Sequence, residues 1–128
     1  MKIKTSELTG AALDWAVAKC EGMDIEIRPA GACGRPLYVL AAASGRTPWT
    51  LVWRGWSPST DWALGGEIIE REKIGIVTSD DDANIWVGSM FEPDWKFSRT
   101  GNTPLIAAMR GYVAGKMGDE IEIPEELK

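Results

Sequence analysis

The 128-residue sequence contains no histidine, which removes the commonest general base and the commonest metal-ligating side chain. Its two cysteines, Cys20 and Cys33, are too few for a disulfide scaffold and lack the paired spacing of a zinc site, so both read as reduced thiols. No window approaches the roughly 20 apolar residues of a membrane span, and the opening segment MKIKTSELTG lacks the apolar stretch of a signal peptide. The expectation is a cytoplasmic chain that does not enter a membrane. Cations are also scarce: 14 Lys and Arg stand against 19 Asp and Glu, a net charge of -5. They are scattered, whereas gripping a nucleic-acid polymer needs a basic stripe. A small anion is a different matter, because one or two arginines and a few backbone N–H groups can hold it against the net charge. The reading assigns no cofactor.

What the chain does hold is tryptophan, seven residues against two Tyr and two Phe. Four of the seven fall in WTLVWRGWSPSTDWALGG, residues 49–66. Around this stretch the pattern predicts a short strand at KIK, then a helix over residues 8–21 stopped by Gly22. At 100° per residue Leu13, Ala16, Val17 and Cys20 form one apolar stripe, while Leu8, Ala11, Ala12 and Trp15 form another, with Asp14 on the polar strip between. Such a helix is either covered on both sides or shows Trp15 to a cleft.

DIEIR, LYVLAAA and WTLVW read as strands, joined by the Gly- and Pro-rich links PAGACGRP and SGRTP. Trp49 and Trp53 alternate with Leu51 as core positions, and the side taken by Trp86 is undecided. ALGGEIIEREK predicts a broken helix, and IGIV with NIWVGSMF two strands around the turn TSDDDA. The acidic run Asp80 to Asp82 resembles half of a calcium loop but lacks the glycine and distal glutamate, and reads as a solvated turn, not a metal site. WKF suggests another strand. RTGNTPLIAAMRGYVAGKMG then opens a helix with Thr103 as N-cap and Pro104 as first helical residue. Leu105, Met109, Tyr112 and Val113 share its apolar arc; Ala107, Gly111 and Ala114 form a strip of small residues that suits close packing within one chain or across a homo-oligomer. Ile121 and Ile123 supply a final edge strand. Mixed order with short links predicts a single α+β domain over residues 1–128, a largely antiparallel sheet with helices packed on it.

Three blocks, MKIKTSELTGAALDWAVAKCEG, WSPSTDWALGGEIIERE and TPLIAAMRGYVAGKMGDEIEIPEEL, resemble the NinX-like family of small tailed-phage and prophage proteins, and more weakly phage domains described as an alpha-beta-alpha sandwich. The resemblance covers about half of the chain; residues 23–48 and 76–98 match nothing. It implies a phage origin and a sandwich-like fold, and no particular reaction. Trp56 stands where the family pattern has a tyrosine, keeping an aromatic face and losing a hydroxyl. Gly111 stands where it has a cysteine, which weakens any nucleophilic role there.

The central block supports two readings. In one, Ser57, Ser59, Thr60 and Asp61 are local hydrogen-bonders, Pro58 fixes φ, and Asp61 caps a helix beginning at Trp62. In the other, the same hydroxyls and Asp61 rim a pocket walled by Trp56 and Trp62, whose faces stack on a planar ligand, with Arg54 meeting a phosphate. A second candidate is the start of the last helix, where Arg99, Thr100 and Thr103 suit an anion beside free N–H groups. Catalysis finds little support and no catalytic residue is assigned, although Asp61 with Glu67 or Glu70 forms the carboxylate pair a hydrolase can use without histidine. The expectation is a non-catalytic accessory protein binding a small nucleotide-like ligand and sequestering a host defence signal. The alternatives are a module that occludes a host protein, and a carboxylate-dependent hydrolase.

Overall fold

The computed structural model describes residues 2–22, 25–28, 37–40, 57–90 and 98–123. The two ends of this set meet. Lys2–Lys4 (β1) pairs antiparallel with Glu120–Glu122 (β7), Ile3 opposite Ile121. Strand alternation sends both isoleucines against the core and leaves Lys2 opposite Glu122 and Lys4 opposite Glu120 on the wet face, opposite charges that favour this register. A short 3-10 turn, Thr5–Glu7, follows. Thr5 is buried, and its N–H donates to the Asp119 carbonyl at 2.8 Å, tying the turn to the same ribbon.

Helix α1 spans Gly10–Cys20, two residues shorter at its start than the pattern predicts, because Leu8 is extended after the 3-10 turn. Leu13, Ala16 and Val17 on one stripe and Ala12 and Trp15 on the other are all buried. The helix is therefore covered on both sides, and Trp15 is a core residue with the Lys19 ammonium 5.5 Å from its ring centroid. Gly22 takes φ 75, the left-handed conformation that stops the helix. Ile25–Arg28 (β2) and Leu37–Leu40 (β3) then pair antiparallel. The predicted strand at residues 49–53, with Trp49 and Trp53, and the one at 95–97 lie outside the described residues.

Helix α2 runs unbroken through Trp62–Glu72, despite the glycine pair that suggests a break. Gly65 sits where a Cβ would overlap the Pro58 carbonyl and the Leu105 side chain, so the glycine admits a close contact. Lys73 closes the helix in the left-handed conformation. Gly75–Thr78 (β4), Trp86–Ser89 (β5) and Arg99–Gly101 (β6) form a three-stranded antiparallel sheet in that order. Of these, β6 is not among the predicted strands: Gly88 opposite Arg99 and Gly101 opposite Trp86 recruit it to β5, a pairing with no local signature. The acidic turn is exposed, and Asp82 accepts the Asn84 N–H at 2.9 Å.

Helix α3, Pro104–Met117, lies on β5 and β6 with one face and against α1 with another. Its small-residue strip is used within the chain. A Cβ on Gly111 would stand 2.6 Å from the Gly88 carbonyl oxygen, one on Gly88 2.6 Å from the Ala108 Cα, and one on Gly101 2.7 Å from the Ala107 nitrogen. Real atoms do not approach so closely, so three glycines let helix and sheet backbones touch. The opposite arc, with Met109, Tyr112 and Val113, joins Leu8, Leu13, Val17 and Ile68 in one buried cluster. The architecture is α+β, and every pairing among the described strands is antiparallel.

Candidate ligand-binding cleft

Residues 57–61 form a tight turn. The Ser57 carbonyl accepts the N–H of Thr60 at 3.1 Å and of Asp61 at 2.9 Å, the Thr60 hydroxyl meets the Ser57 hydroxyl at 3.1 Å, and Pro58 is buried. Asp61 is extended, and its carboxylate accepts the Ala63 N–H at 2.9 Å, the N-cap predicted from Asp-Trp. Trp62 is thereby the first helical residue, and it projects outward with 56 % of its surface exposed, far from the burial usual for an indole. Opposite it, Thr103 caps α3. Its hydroxyl accepts the Ile106 N–H at 3.1 Å and its carbonyl the Ala107 N–H at 3.1 Å, and Pro104 has no N–H to offer.

Between these two helix starts runs a cleft of about 200 Å³, with Ser59, Thr60 and Trp62 on one wall and Thr103, Pro104, Leu105 and Ile106 on the other. Sites for drug-sized ligands span roughly 300 to 1,000 Å³, so this cleft suits a single ring system. Four of the sequence-predicted residues, Ser59, Thr60, Trp62 and Thr103, are brought together here, while Ser57 and Asp61 shape the turn that carries them. Arg54 and Trp56 lie outside the described residues.

Arg99 and Thr100 stand elsewhere, on β6. The Arg99 guanidinium donates to the Asp119 carboxylate at 2.7 Å, the Ser98 carbonyl at 2.7 Å and the Thr5 hydroxyl at 3.3 Å, beside a second depression of about 420 Å³ shared with Lys4, Ser6 and Glu120. The Thr100 carbonyl accepts from Arg110 at 2.8 Å. The sequence places Arg99 next to the helix start; the β6 strand turns it toward the β1–β7 ribbon instead. Of the carboxylates considered for hydrolysis, Asp61 is the helix cap, and neither Glu67 nor Glu70 lines the cleft.

Asp14 is the residue that sequence reasoning passes over. It is only 6 % exposed, and its Oδ1 accepts the Ser59 N–H at 3.0 Å, with a second bond from the Ser59 hydroxyl. Burial pushes its carboxyl up to about 6, a rise that the two Ser59 bonds oppose. The signal was present: a helix with two apolar stripes has nowhere dry to put an aspartate except between buried partners. A second cluster fastens the other end of the helices. The Tyr112 hydroxyl donates to Glu21 Oε2 at 2.5 Å, and Arg71 bonds the same oxygen. Burial first, then Glu21, holds the Tyr112 hydroxyl well above the ordinary phenol range. Burial likewise pushes the Cys20 thiol up to about 12, with Lys116 opposing, which keeps it protonated and a poor nucleophile. Cys33 lies outside the described residues.

Among the described residues no group of three or more Cys, Asp or Glu is placed to hold a metal ion, and no helix is long and apolar enough to cross a membrane. No curated protein is significantly similar to the chain. A family model described as "Bacteriophage P22, NinX" matches residues 4–116, a span that takes in the 3-10 turn, the Asp14 helix, both walls of the cleft and nearly all of α3. The family pattern thus runs through the core and the cleft alike, and the chain belongs to the bacteriophage P22 NinX family.

Proposed function

We propose that this phage protein is a non-catalytic binder whose cleft takes the planar ring of a small nucleotide-like ligand, Trp62 supplying the stacking face. The observation that carries the reading is an indole left 56 % exposed at the edge of a cleft that also holds the Thr60 and Thr103 side chains. Stacking a base on an aromatic side chain contributes roughly 1 to 3 kcal/mol, and flanking hydroxyls give direction through hydrogen bonds to a ring edge or a ribose. Among the described residues no cation lines the cleft, so the ring supplies the affinity there and a phosphate points outward. In an infected cell such a protein, present in stoichiometric amounts, sequesters a nucleotide-derived host signal without turning it over.

An exposed tryptophan is also a common anchor of protein interfaces, and a host protein occluded through Trp62 is the second reading. A panel of nucleosides and nucleotides, screened by melting temperature, separates the two. A ligand at a hundredfold excess over its Kd stabilises by about 2.7 kcal/mol, roughly a 10 °C shift for a chain of this size. One member of the panel is expected to produce that shift, and Trp62→Ala to abolish it while the unliganded melting point stays put. A panel without a hit transfers the argument to the host protein.

A further inference from the structure

The turn that carries the cleft wall is fastened from beneath by one buried group. Ser59 is 3 % exposed and lines the cleft, and both its N–H and its hydroxyl bond to Asp14. Among the described residues, nothing but Ser59 bonds to that carboxylate. Among the described residues, the charged side chains of the neighbouring helices are engaged otherwise: Arg110 of α3 donates to the Leu8 carbonyl at 2.7 Å and to the Thr100 carbonyl, Arg71 of α2 bonds Glu21, Lys19 of α1 lies over Trp15, and Asp61 caps α2. A carboxylate withdrawn from water is costly when ionised, and burial is the largest influence on this one. An asparagine would make the same two contacts, with its oxygen accepting the Ser59 N–H and its amide donating to the hydroxyl.

We propose that Asp14 is the positioning residue of the cleft: through Ser59 it holds the turn at residues 57–61, and with it Trp62, in the closed arrangement, and its ionisation favours release of that turn.

The direction follows from linkage. With the turn closed, the carboxyl is buried and holds its proton up to about pH 6. With the turn lifted, it is hydrated and behaves as an ordinary aspartate, near 3.9. The closed form thus binds the proton more tightly by about two units, and raising the pH from 4 to above 7 multiplies the open-to-closed ratio on the order of 100-fold. Proton uptake closes the cleft and proton loss loosens it. Where the cleft is the ligand site proposed above, on which this consequence rests, binding takes up a proton and tightens as pH falls.

Native-state amide hydrogen exchange, read residue by residue by NMR on the ligand-free protein, tests the device without any ligand. The Ser59 protection factor, corrected for base catalysis, is expected to fall on the order of 25-fold between pH 4.5 and 7.5. The Val113 amide, deep in α3, reports global unfolding, which hydrates Asp14 as well, so its protection is expected to fall by a similar factor while staying well above that of Ser59 at every pH. In Asp14→Asn the Ser59 protection is expected to be independent of pH. Ser59 protection that does not change with pH in the wild-type protein overturns the proposal, as does Ser59 protection equal to that of Val113 across the range, since the turn then opens only by global unfolding. The wild-type arm decides even if Asp14→Asn fails to fold. The nucleoside panel is a separate measurement, so loss of the latch and loss of the ligand reading are told apart.

Discussion

Helix α3 is used in two contrasting ways. Along β5 and β6 it touches another backbone through Gly88, Gly101 and Gly111, a dry contact in which one added carbon atom has no room. At its first turn it faces the cleft, where Thr103, Pro104 and the exposed indole of Trp62 leave about 200 Å³ open. The first contact is made mainly of backbone and leaves no space for a side chain at any of the three glycines. The second is bounded by a turn held by a single buried carboxylate that, among the described residues, bonds only Ser59. Rigidity and adjustability meet on one helix, which is the arrangement expected of a site mounted on a scaffold.

The largest effect is expected on the rigid side. Gly88→Ala drives a methyl into the Ala107 and Ala108 backbone and should cost about 3 kcal/mol or more, read as a lowered midpoint in urea denaturation. A loss below about 1 kcal/mol would mean that helix and sheet slide apart cheaply, and the contrast with the cleft would dissolve. Next comes the pH dependence on the adjustable side. The native state binds the Asp14 proton more tightly than the unfolded chain does, so this group's stabilisation is full below about pH 4 and is lost as pH rises through about 6. The wild type minus Asp14→Asn difference in unfolding free energy should therefore fall by up to about 3 kcal/mol across that window. A difference flat from pH 4 to 8 would place Asp14 in water. The smallest effect is a gain. Among the described residues a Cβ at Gly66 would meet only the Trp62 ring, at 3.9 Å, so Gly66→Ala should stabilise α2 by roughly 0.5 to 1 kcal/mol. Thermal melts of this variant beside Gly88→Ala sharpen the comparison between a glycine that is needed and one that is only tolerated.

Local chemistry made much of this fold readable. Thr103-Pro104 and Asp61-Trp62 each mark a helix start to the residue, because a cap is an interaction between near neighbours. The outer strands at Lys2–Lys4 and Glu120–Glu122 follow from alternation. What escaped depends on distant partners. Residues 99–101 look like the loop before a helix and become a strand only because β5 offers its edge. Arg99, five residues before Pro104, leaves the helix start once that strand forms, and Asp119 takes its charge. Asp14 reads as part of a polar strip until the turn at residue 59 is seen to lie over it. Half of the candidate site was therefore legible: Trp62 with Ser59 and Thr60, and Thr103 facing them. Their junction was not, since no spacing in the chain encodes that two helix starts lie side by side.

The β1–β7 ribbon bears on how the molecule comes into being. Lys2, Ile3 and Lys4 have their partners at Glu122, Ile121 and Glu120, so this strand stays unmatched until residues 120–122 have left the ribosome. Leu8, wholly enclosed in the finished core, waits with it, and contacts between such remote segments form slowly. Growth of the nascent chain, rather than the local helices, sets when this end can settle.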